Sequence, residues 1–302
     1  MDLSSLEIFL AVAGENSVTR AAKRVGRVPS NVTIRIQQLE QDLGAALFSR
    51  EGKKMTLTRE GKTFLSYANR LTALALEARH AVKPSGPSGS LRVGTMESTA
   101  ASRLPEVLSR FNALWPAVSL RLTMGATRDL TRAVRAEELD CALIARPPKR
   151  LLQEAGMYDP DLEDLEAEQV YTEELLIVLP SHHPAIRTAA DLRIDALAAL
   201  EPGCTYRRIA EYWGRASASL RTLELSSYHA ILASVTTGNS VGVMPKSVLD
   251  LMRWPTKVKT HHLGAVDTLL VCRKDQRSAA FDAFRDVVLT SRAANTAAPP
   301  AG

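Results

Sequence analysis

The densest group of chemistry-bearing side chains in this 302-residue sequence is Ser30, Asn31, Thr33, Ile34, Arg35 and Gln38. Short hydroxyl, amide and guanidinium groups at this spacing are the chemistry that reads base edges and phosphates. Arg20 and Arg27 precede the group and Arg50, Lys53 and Lys54 follow it, as cations for phosphate oxygens. The charge distribution agrees. Residues 1–84 hold 13 Lys and Arg against 8 Asp and Glu, whereas residues 85–302 hold 25 of each, so the net charge of +5 lies wholly on the N-terminal part. That asymmetry is the electrostatic footprint of a nucleic-acid-binding module joined to a neutral one, although chance clustering of a few charges would look the same.

Catalytic constellations are sparse. Cys204 would serve as a nucleophile if the fold brought His229 to it as a base, since such pairs are spatial rather than sequential. No spacing fixes that geometry, and a cysteine at a helix start is often structural. His182-His183 and His261-His262 are adjacent pairs whose rings project in different directions, without the ligand spacing of a metal site. No phosphate-binding G-x-x-x-x-G-K-S/T or G-x-G-x-x-G element occurs, so no nucleotide cofactor is expected. The three cysteines, at 141, 204 and 272, are too widely spaced for a disulfide framework or a zinc ribbon. Composition is ordinary for a folded protein, with 45% hydrophobic and 24% charged residues. With no basic leader and no long uncharged apolar run, the expected location is the cytoplasm.

The elements that must position the first group are helical. Leu3, Leu6, Phe9, Leu10 and Ala13 form one stripe, with Ser4 or Ser5 as its cap. Val18, Ala21, Ala22 and Val25 form a second, capped by Ser17. Val32, Ile36, Leu39 and Leu43 form a third over 29–43, with Pro29 in the first turn and Gly44 as the stop. Burying that third stripe leaves the six chemistry-bearing residues outward. Helices at 17–25 and 29–43, joined only by Gly26-Arg27-Val28, have the shape of a helix-turn-helix, whose second helix enters the major groove. A solvated helix pair would show similar polarity. Leu47-Phe48 and Met55-Thr56-Leu57 flank the basic turn Arg50–Lys54 as a small hairpin wing. A long helix over 58–82 carries Phe64, Leu65, Ala68, Leu71, Ala75, Ala78 and Val82 on one side. That stripe has no obvious partner in so small a module, which predicts pairing with a second chain.

Lys83-Pro84-Ser85-Gly86-Pro87-Ser88-Gly89-Ser90 marks a boundary, after which the rhythm changes. Strands are predicted at 91–93, 118–123, 141–144, 175–179, 222–225, 242–244 and 268–272. Helices are predicted at 102–111, 128–136, 205–217, 228–237 and 278–290. Such alternation predicts parallel-type sheets covered by helices on both faces. The Ala/Pro-rich stretch 293–302 is predicted to be a disordered tail.

Leu6-x-x-Phe9, Ser17-Val18-Thr19-x-Ala21-Ala22, Val32-Thr33-x-x-Ile36-x-x-Leu39-Glu40-x-x-Leu43-Gly44, Leu47-Phe48-x-Arg50 and Leu57-Thr58-x-x-Gly61 follow one another at the spacing of a known family. Over residues 3–61 the chain resembles LysR-type transcriptional regulators almost continuously. Weaker pieces recur later as Val93-Gly94, Leu104-Pro105, Leu179-Pro180, Pro184 and Gly242-Val243-Met244-Pro245. One departure is Val28-Pro29, where family members begin the recognition helix with a Ser or Thr cap followed by Gln. Proline has no side-chain donor, which shifts base reading onto Ser30, Asn31, Thr33 and Arg35. The resemblance implies an α+β protein: a winged helix-turn-helix over 1–58, a linker and dimerisation helix over 59–84 and a hinge over 85–90. A two-lobed α/β effector domain resembling periplasmic binding proteins then covers 91–292, with lobe I about 91–165 and 267–292 and lobe II about 166–266. It implies promoter DNA with dyad symmetry as partner, a homodimer or homotetramer, RNA polymerase as a further candidate contact, and neither enzyme activity, metal nor cofactor.

The resemblance also places a small-molecule site between the lobes, at strand ends and helix N-termini, which attract anions. Ser98 and Thr99 lie where the first strand turns into its helix and would either cap it or bind a carboxylate. Cys204, Thr205, Tyr206 and Arg207 occupy the matching turn of the second lobe. There Thr205 would donate, Tyr206 would wall the pocket, and Arg207 would pair an anion bidentately; Arg207 and Arg208 read equally as a solvated helix face. Arg146, just after the strand at 141–144, is a further anion partner. The expected effector is a small carboxylate.

Overall fold

The computed structural model describes residues 1–51, 54–82, 86–151, 162–217, 220–253, 257–276 and 278–296. Its contacts divide the chain into two units, Met1–Gly89 and Ser90–Gly302.

The N-terminal unit begins with α1 (Leu3–Glu15), α2 (Val18–Arg24) and α3 (Pro29–Leu43). Asp2, rather than Ser4 or Ser5, caps α1: its carboxylate accepts from the Ser5 amide at 2.7 Å, and Ser5 itself is buried. Ser17 caps α2 through the Arg20 amide. Pro29 opens α3 and Gly44 closes it in a left-handed conformation, φ 66°, which glycine adopts without Cβ strain. Val32, Ile36 and Leu39 pack on Phe9, Ala21 and Ala22, but Leu43, in the last turn, is exposed. Phe9 anchors this core, with Phe48 and Phe64 at 5.3 and 5.1 Å between ring centroids.

The wing is an antiparallel pair, β1 (Phe48–Glu51) and β2 (Lys54–Leu57). Glu40 fastens it to α3, because one carboxylate oxygen accepts from the amides of Leu47 and Phe48 at 2.7 and 3.1 Å. Thr58 then starts α4 (Arg59–Val82), donating to the Ala46 carbonyl and accepting from the Gly61 amide. The stripe on α4 divides. Ala68 is buried and Phe64 and Leu65 pack on the core, whereas Leu71 is 37% exposed, and Leu74, which was not part of the expected stripe, is 61% exposed three residues further on.

The C-terminal unit is built on one eight-stranded sheet in the order β4-β3-β5-β10-β6-β9-β7-β8. Its strands are β3 (Gly89–Thr95), β4 (Val118–Met124), β5 (Cys141–Arg146), β6 (Leu165–Pro180), β7 (Ala196–Ala199), β8 (Arg221–Glu224), β9 (Val241–Pro245) and β10 (Val258–Arg273). The helices are α5 (Glu97–Ser102), α6 (Leu104–Leu114), α7 (Thr127–Arg135), α8 (Thr205–Gly214), α9 (Tyr228–Thr236), α10 (Lys246–Leu251) and α11 (Ala279–Thr296).

The expected parallel sheet is in fact mixed. Pairs β3/β5, β7/β8 and β7/β9 are parallel, while β5/β10, β10/β6 and β6/β9 are antiparallel. The long strands β6 and β10 run side by side through the middle, with register breaks at His262/Gly264 and Thr268/Leu269. One stretch of β10, Asp267–Cys272, pairs with β5, and one stretch of β6, Leu175–Val178, pairs with β9. The two strands thereby join both halves of the sheet. One core gathers β3, α6 and α11 residues such as Val93, Phe111 and Phe284. A second runs from Leu130 and Val134 on α7 to Ile231 and Val235 on α9.

Two further expectations change. The backbone of α11 continues to Thr296, into the stretch expected to be a disordered tail, and residues 297–302 lie outside the described residues. Strand β3 starts at Gly89, inside the expected 85–90 hinge, of which residue 85 also lies outside the described residues.

Candidate nucleic-acid interface and ligand cavity

Helix α3 buries one side and presents the other. Ser30, Asn31, Ile34 and Gln38 are exposed and follow helical spacing, which puts them on one face. Val28, before Pro29, is also exposed. Val28 was not among the expected contact residues; an apolar residue in a turn with no stripe to join was its only signal. Two expected readers are partly engaged. Thr33 donates its hydroxyl to the Pro29 carbonyl at 3.1 Å, as helical threonines do, and keeps only its acceptor capacity. Arg35 reaches back to Asp2 at 3.2 Å instead of projecting freely. The amide and hydroxyl of Ser5 hold the Asp2 carboxyl below its ordinary range, and Arg35 adds to this. A solvent-exposed pair of this kind holds the guanidinium only weakly, so a phosphate or base edge can replace Asp2.

Among the surrounding cations, Arg20 bonds the Glu15 carbonyl and pairs with its carboxylate at 3.5 Å. Arg27 contacts the Ser4 hydroxyl at 3.5 Å, and Lys54 is exposed on the wing. Lys53 and the Arg50 side chain lie outside the described residues.

In the C-terminal unit, strands run into helices at four turns that surround a cavity of ≈ 240 Å³. Met96, Glu97 and Ser98 come from the start of α5, and Met124, Ala126 and Thr127 from the start of α7. Glu201, Cys204, Thr205 and Tyr206 come from the start of α8, and Ser226 and Tyr228 from that of α9. Ligands of open α/β sheets sit at this edge, beyond the carboxyl ends of strands and facing helix amides. Cross-sheet bonds fix its walls. The Ala145 amide donates to Thr127 at 3.2 Å and the Ala145 carbonyl accepts from Thr205 at 3.2 Å. Glu97 accepts from the Tyr228 amide at 3.4 Å, and Ser247 donates to Ser102 at 3.2 Å.

In the cavity wall, Ser98 and Tyr206 are each 2% exposed, and their hydroxyls lie close to each other without meeting any partner among the described residues in hydrogen-bond geometry. The buried Thr268 hydroxyl beside Tyr206 is likewise unpaired there. Each such group costs ~1–3 kcal/mol until something bonds it. Burial pushes the Tyr206 phenol far up, with Glu173 adding to this and the hydroxyls of Ser98 and Thr268 opposing it. Burial also raises Glu97, with Glu201 adding, against the Tyr228 amide and His229.

Four expected effector residues therefore meet here: Ser98, Cys204, Thr205 and Tyr206. Thr205 spends its donor on the sheet. Thr99 is buried but does not line the cavity, and neither does Arg146. Arg207 is turned away: Glu211 at 2.8 Å, Glu224 at 2.9 Å and the Leu200 carbonyl at 2.9 Å occupy its guanidinium. Glu97 and Glu201 line the cavity without having been singled out, because acidic residues at strand-to-helix turns read as solvated.

The nucleophile reading of Cys204 finds no support, since burial pushes its thiol up to about 11 and His229 is exposed. His183 is structural, with ring nitrogens bonded to the Pro184 carbonyl at 2.8 Å and the Arg193 amide at 3.0 Å. Among the described residues no three His, Cys, Asp or Glu side chains gather as a metal site, and no helix is long and apolar enough to cross a membrane.

Comparison with known proteins adds findings of three kinds. Residues 3–62 match the family described as bacterial regulatory helix-turn-helix protein, lysR family, and residues 84–293 match the LysR substrate binding domain. The chain is 33% identical over 282 residues, 91% of each protein, to the HTH-type transcriptional regulator GltR of Bacillus subtilis (strain 168). In fold it is similar to a full-length single-residue variant of OxyR from Pseudomonas aeruginosa (TM-score 0.72, 22% identity, 97% and 94% of the chains covered). It is also similar to full-length CbnR complexed with its target DNA (TM-score 0.64, 22% identity, 96% and 100% covered).

Proposed function

The chain belongs to the LysR family of bacterial transcriptional regulators, and from that premise we propose that α3 reads a dyad-symmetric operator while a small carboxylate effector in the cavity sets its activity in the cytoplasm. That it is a DNA-binding regulator with an effector-binding domain follows from the matches to both family domains. The observation that carries the finer DNA reading is the exposed set Ser30, Asn31, Ile34 and Gln38 on a helix whose other side is core. Amides bond base edges in the major groove, and an exposed isoleucine suits a thymine methyl. An operator selected from random duplexes, followed by mobility-shift titration, tests it. Asn31→Ala is expected to cost ~1–3 kcal/mol on that operator, as for a lost bidentate base contact. Lys54→Ala weakens all duplexes alike and lowers the salt slope by about one unit. Unchanged affinity in both variants overturns the assignment.

The same reading assigns the exposed end of the α4 stripe to a second copy of the chain. Leu71 and Leu74 are too apolar and too exposed to serve their own unit, and a twofold pairing there supplies two recognition helices. Leu71→Glu is expected to leave the fold intact and shift the sedimenting species toward monomer, because pairing would bury a charge. A wild-type chain that is monomeric at micromolar concentration rules the pairing out.

For the effector, the amide ends of α7 and α8 favour a carboxylate. The hydroxyls of Ser98 and Tyr206, buried and unbonded, supply further polar contacts. Occupation changes activity to the extent that the ligand prefers one arrangement of the cavity walls over another.

A further inference from the structure

A plain organic acid leaves half of this cavity unsatisfied. The charged side chains that line it are Glu97 and Glu201, and among the described residues no Lys, Arg or His joins them there. Arg207 is held by Glu211 and Glu224 and cannot neutralise them. The two carboxylates come from different turns, before α8 and at the first residue of α5, so neither is explained as the other's helix partner. An independent observation points to a ligand beside them: the hydroxyls of Ser98, next to Glu97 in sequence, and of Tyr206 belong to residues lining the same cavity and are buried near each other without a partner in hydrogen-bond geometry among the described residues. The volume of ≈ 240 Å³, below the range of about 300–1,000 Å³ typical of drug-sized ligands, suits a small occupant.

We propose that the effector is a zwitterion, a small α-amino acid or close relative, whose ammonium sits against Glu97 and Glu201 while its carboxylate faces the helix amides and the hydroxyls of Ser98 and Tyr206. This rests on the reading of the cavity as a carboxylate-effector site and adds the opposite charge to it. An ammonium has three donors and no acceptor, which suits two carboxylates lining one small cavity. It also removes their mutual repulsion, which contributes to the raised titration of Glu97. Around Glu97 the titratable and charged groups are Glu201 and His229, with the Tyr228 amide as the remaining partner.

The test uses the full-length chain and a panel of the standard L-amino acids, each paired with its desamino acid and its decarboxylated amine. Melting shifts identify hits, because specific binding raises the melting temperature, and calorimetry gives their affinities. The amino acid that binds is expected to do so at least about tenfold more tightly than either partner compound, as expected for a contact of ~1.4 kcal/mol or more. Glu97→Gln and Glu201→Gln should each remove about that factor for the amino acid, whereas the desamino acid should bind no more weakly, having lost a neighbouring negative charge. Glu97→Gln should also raise the melting temperature of the unliganded chain. A desamino acid that binds as tightly as the amino acid overturns the ammonium and leaves the carboxylate reading standing. An amine that binds as tightly without its carboxylate does the reverse. A panel that shifts nothing overturns both.

Discussion

Gly61→Ala is expected to abolish operator binding and to melt the N-terminal unit well below the wild-type temperature, leaving the melting of the C-terminal unit unchanged. A Cβ built on Gly61 lies 2.0 Å from the Leu47 carbonyl oxygen and 3.0 Å from both the Leu47 carbonyl carbon and a Leu57 methyl. The oxygen cannot withdraw cheaply. Leu47 is held at its amide by Glu40 and at its carbonyl by the Thr58 amide, 3.0 Å away. The first turn of α4 must therefore lift from the wing, which separates Phe64 from Phe9 and loosens the core under α3. Overpacking costs ~1–3 kcal/mol and more when backbone blocks the new atom. For a unit of this size each kcal/mol lowers the melting temperature by about 4–8 °C. Calorimetry of the full chain resolves the effect, and a variant whose first transition coincides with wild type contradicts it.

The same glycine shows where sequence reading stops. Its place after Leu57-Thr58 was visible as a spacing, but the reason for it, a backbone approach to Leu47, exists only once the wing and α4 meet. Helix α3 was legible almost completely, because Val32, Ile36 and Leu39 keep a 3.6 period between a proline start and a glycine stop. The strands β6 and β10 were legible only at their continuous apolar ends. Their other portions mix exposed, half-buried and, in β6, buried residues without a regular alternation, and such a pattern over sixteen positions does not announce one strand. Strand β7, Ala-Leu-Ala-Ala, lacks the β-branched and aromatic residues that mark strands and owes its state to pairing with β8 and β9.

In the cavity, hydroxyls at strand-to-helix turns were visible because the turns themselves were. The expected arginines do not join the hydroxyls at this cavity. Arg207 stands four residues before Glu211, a helix pairing that could have been read in advance as a reason for its absence from the site. Its second partner, Glu224, is brought to it by β8, and no local pattern shows that.

The Arg103–Glu173 pair carries the other large effect, on the C-terminal unit. Arg103 stands between α5 and α6, and its Nε donates to Glu173 at 2.7 Å, where the Glu173 side chain is 4% exposed. Its guanidinium also lies 5.5 Å from the Tyr171 ring centroid. Glu173 belongs to β6 opposite Val266 of β10, in the middle of the two long strands, so the pair fastens the helix bearing Ser98 to the centre of the sheet. Arg103→Ala strands a carboxylate in the interior, a loss of about 3–5 kcal/mol. At roughly 2–4 °C per kcal/mol for a unit of this length, the C-terminal transition should fall by about 6–20 °C. The N-terminal transition should not move. Arg103→Met combined with Glu173→Leu should recover most of the loss, since apolar replacement of both partners removes the buried charge together with its counterion. A double variant as unstable as Arg103→Ala would instead assign the effect to packing over Tyr171, and a single variant that melts as wild type would show that water reaches Glu173 in place of the arginine.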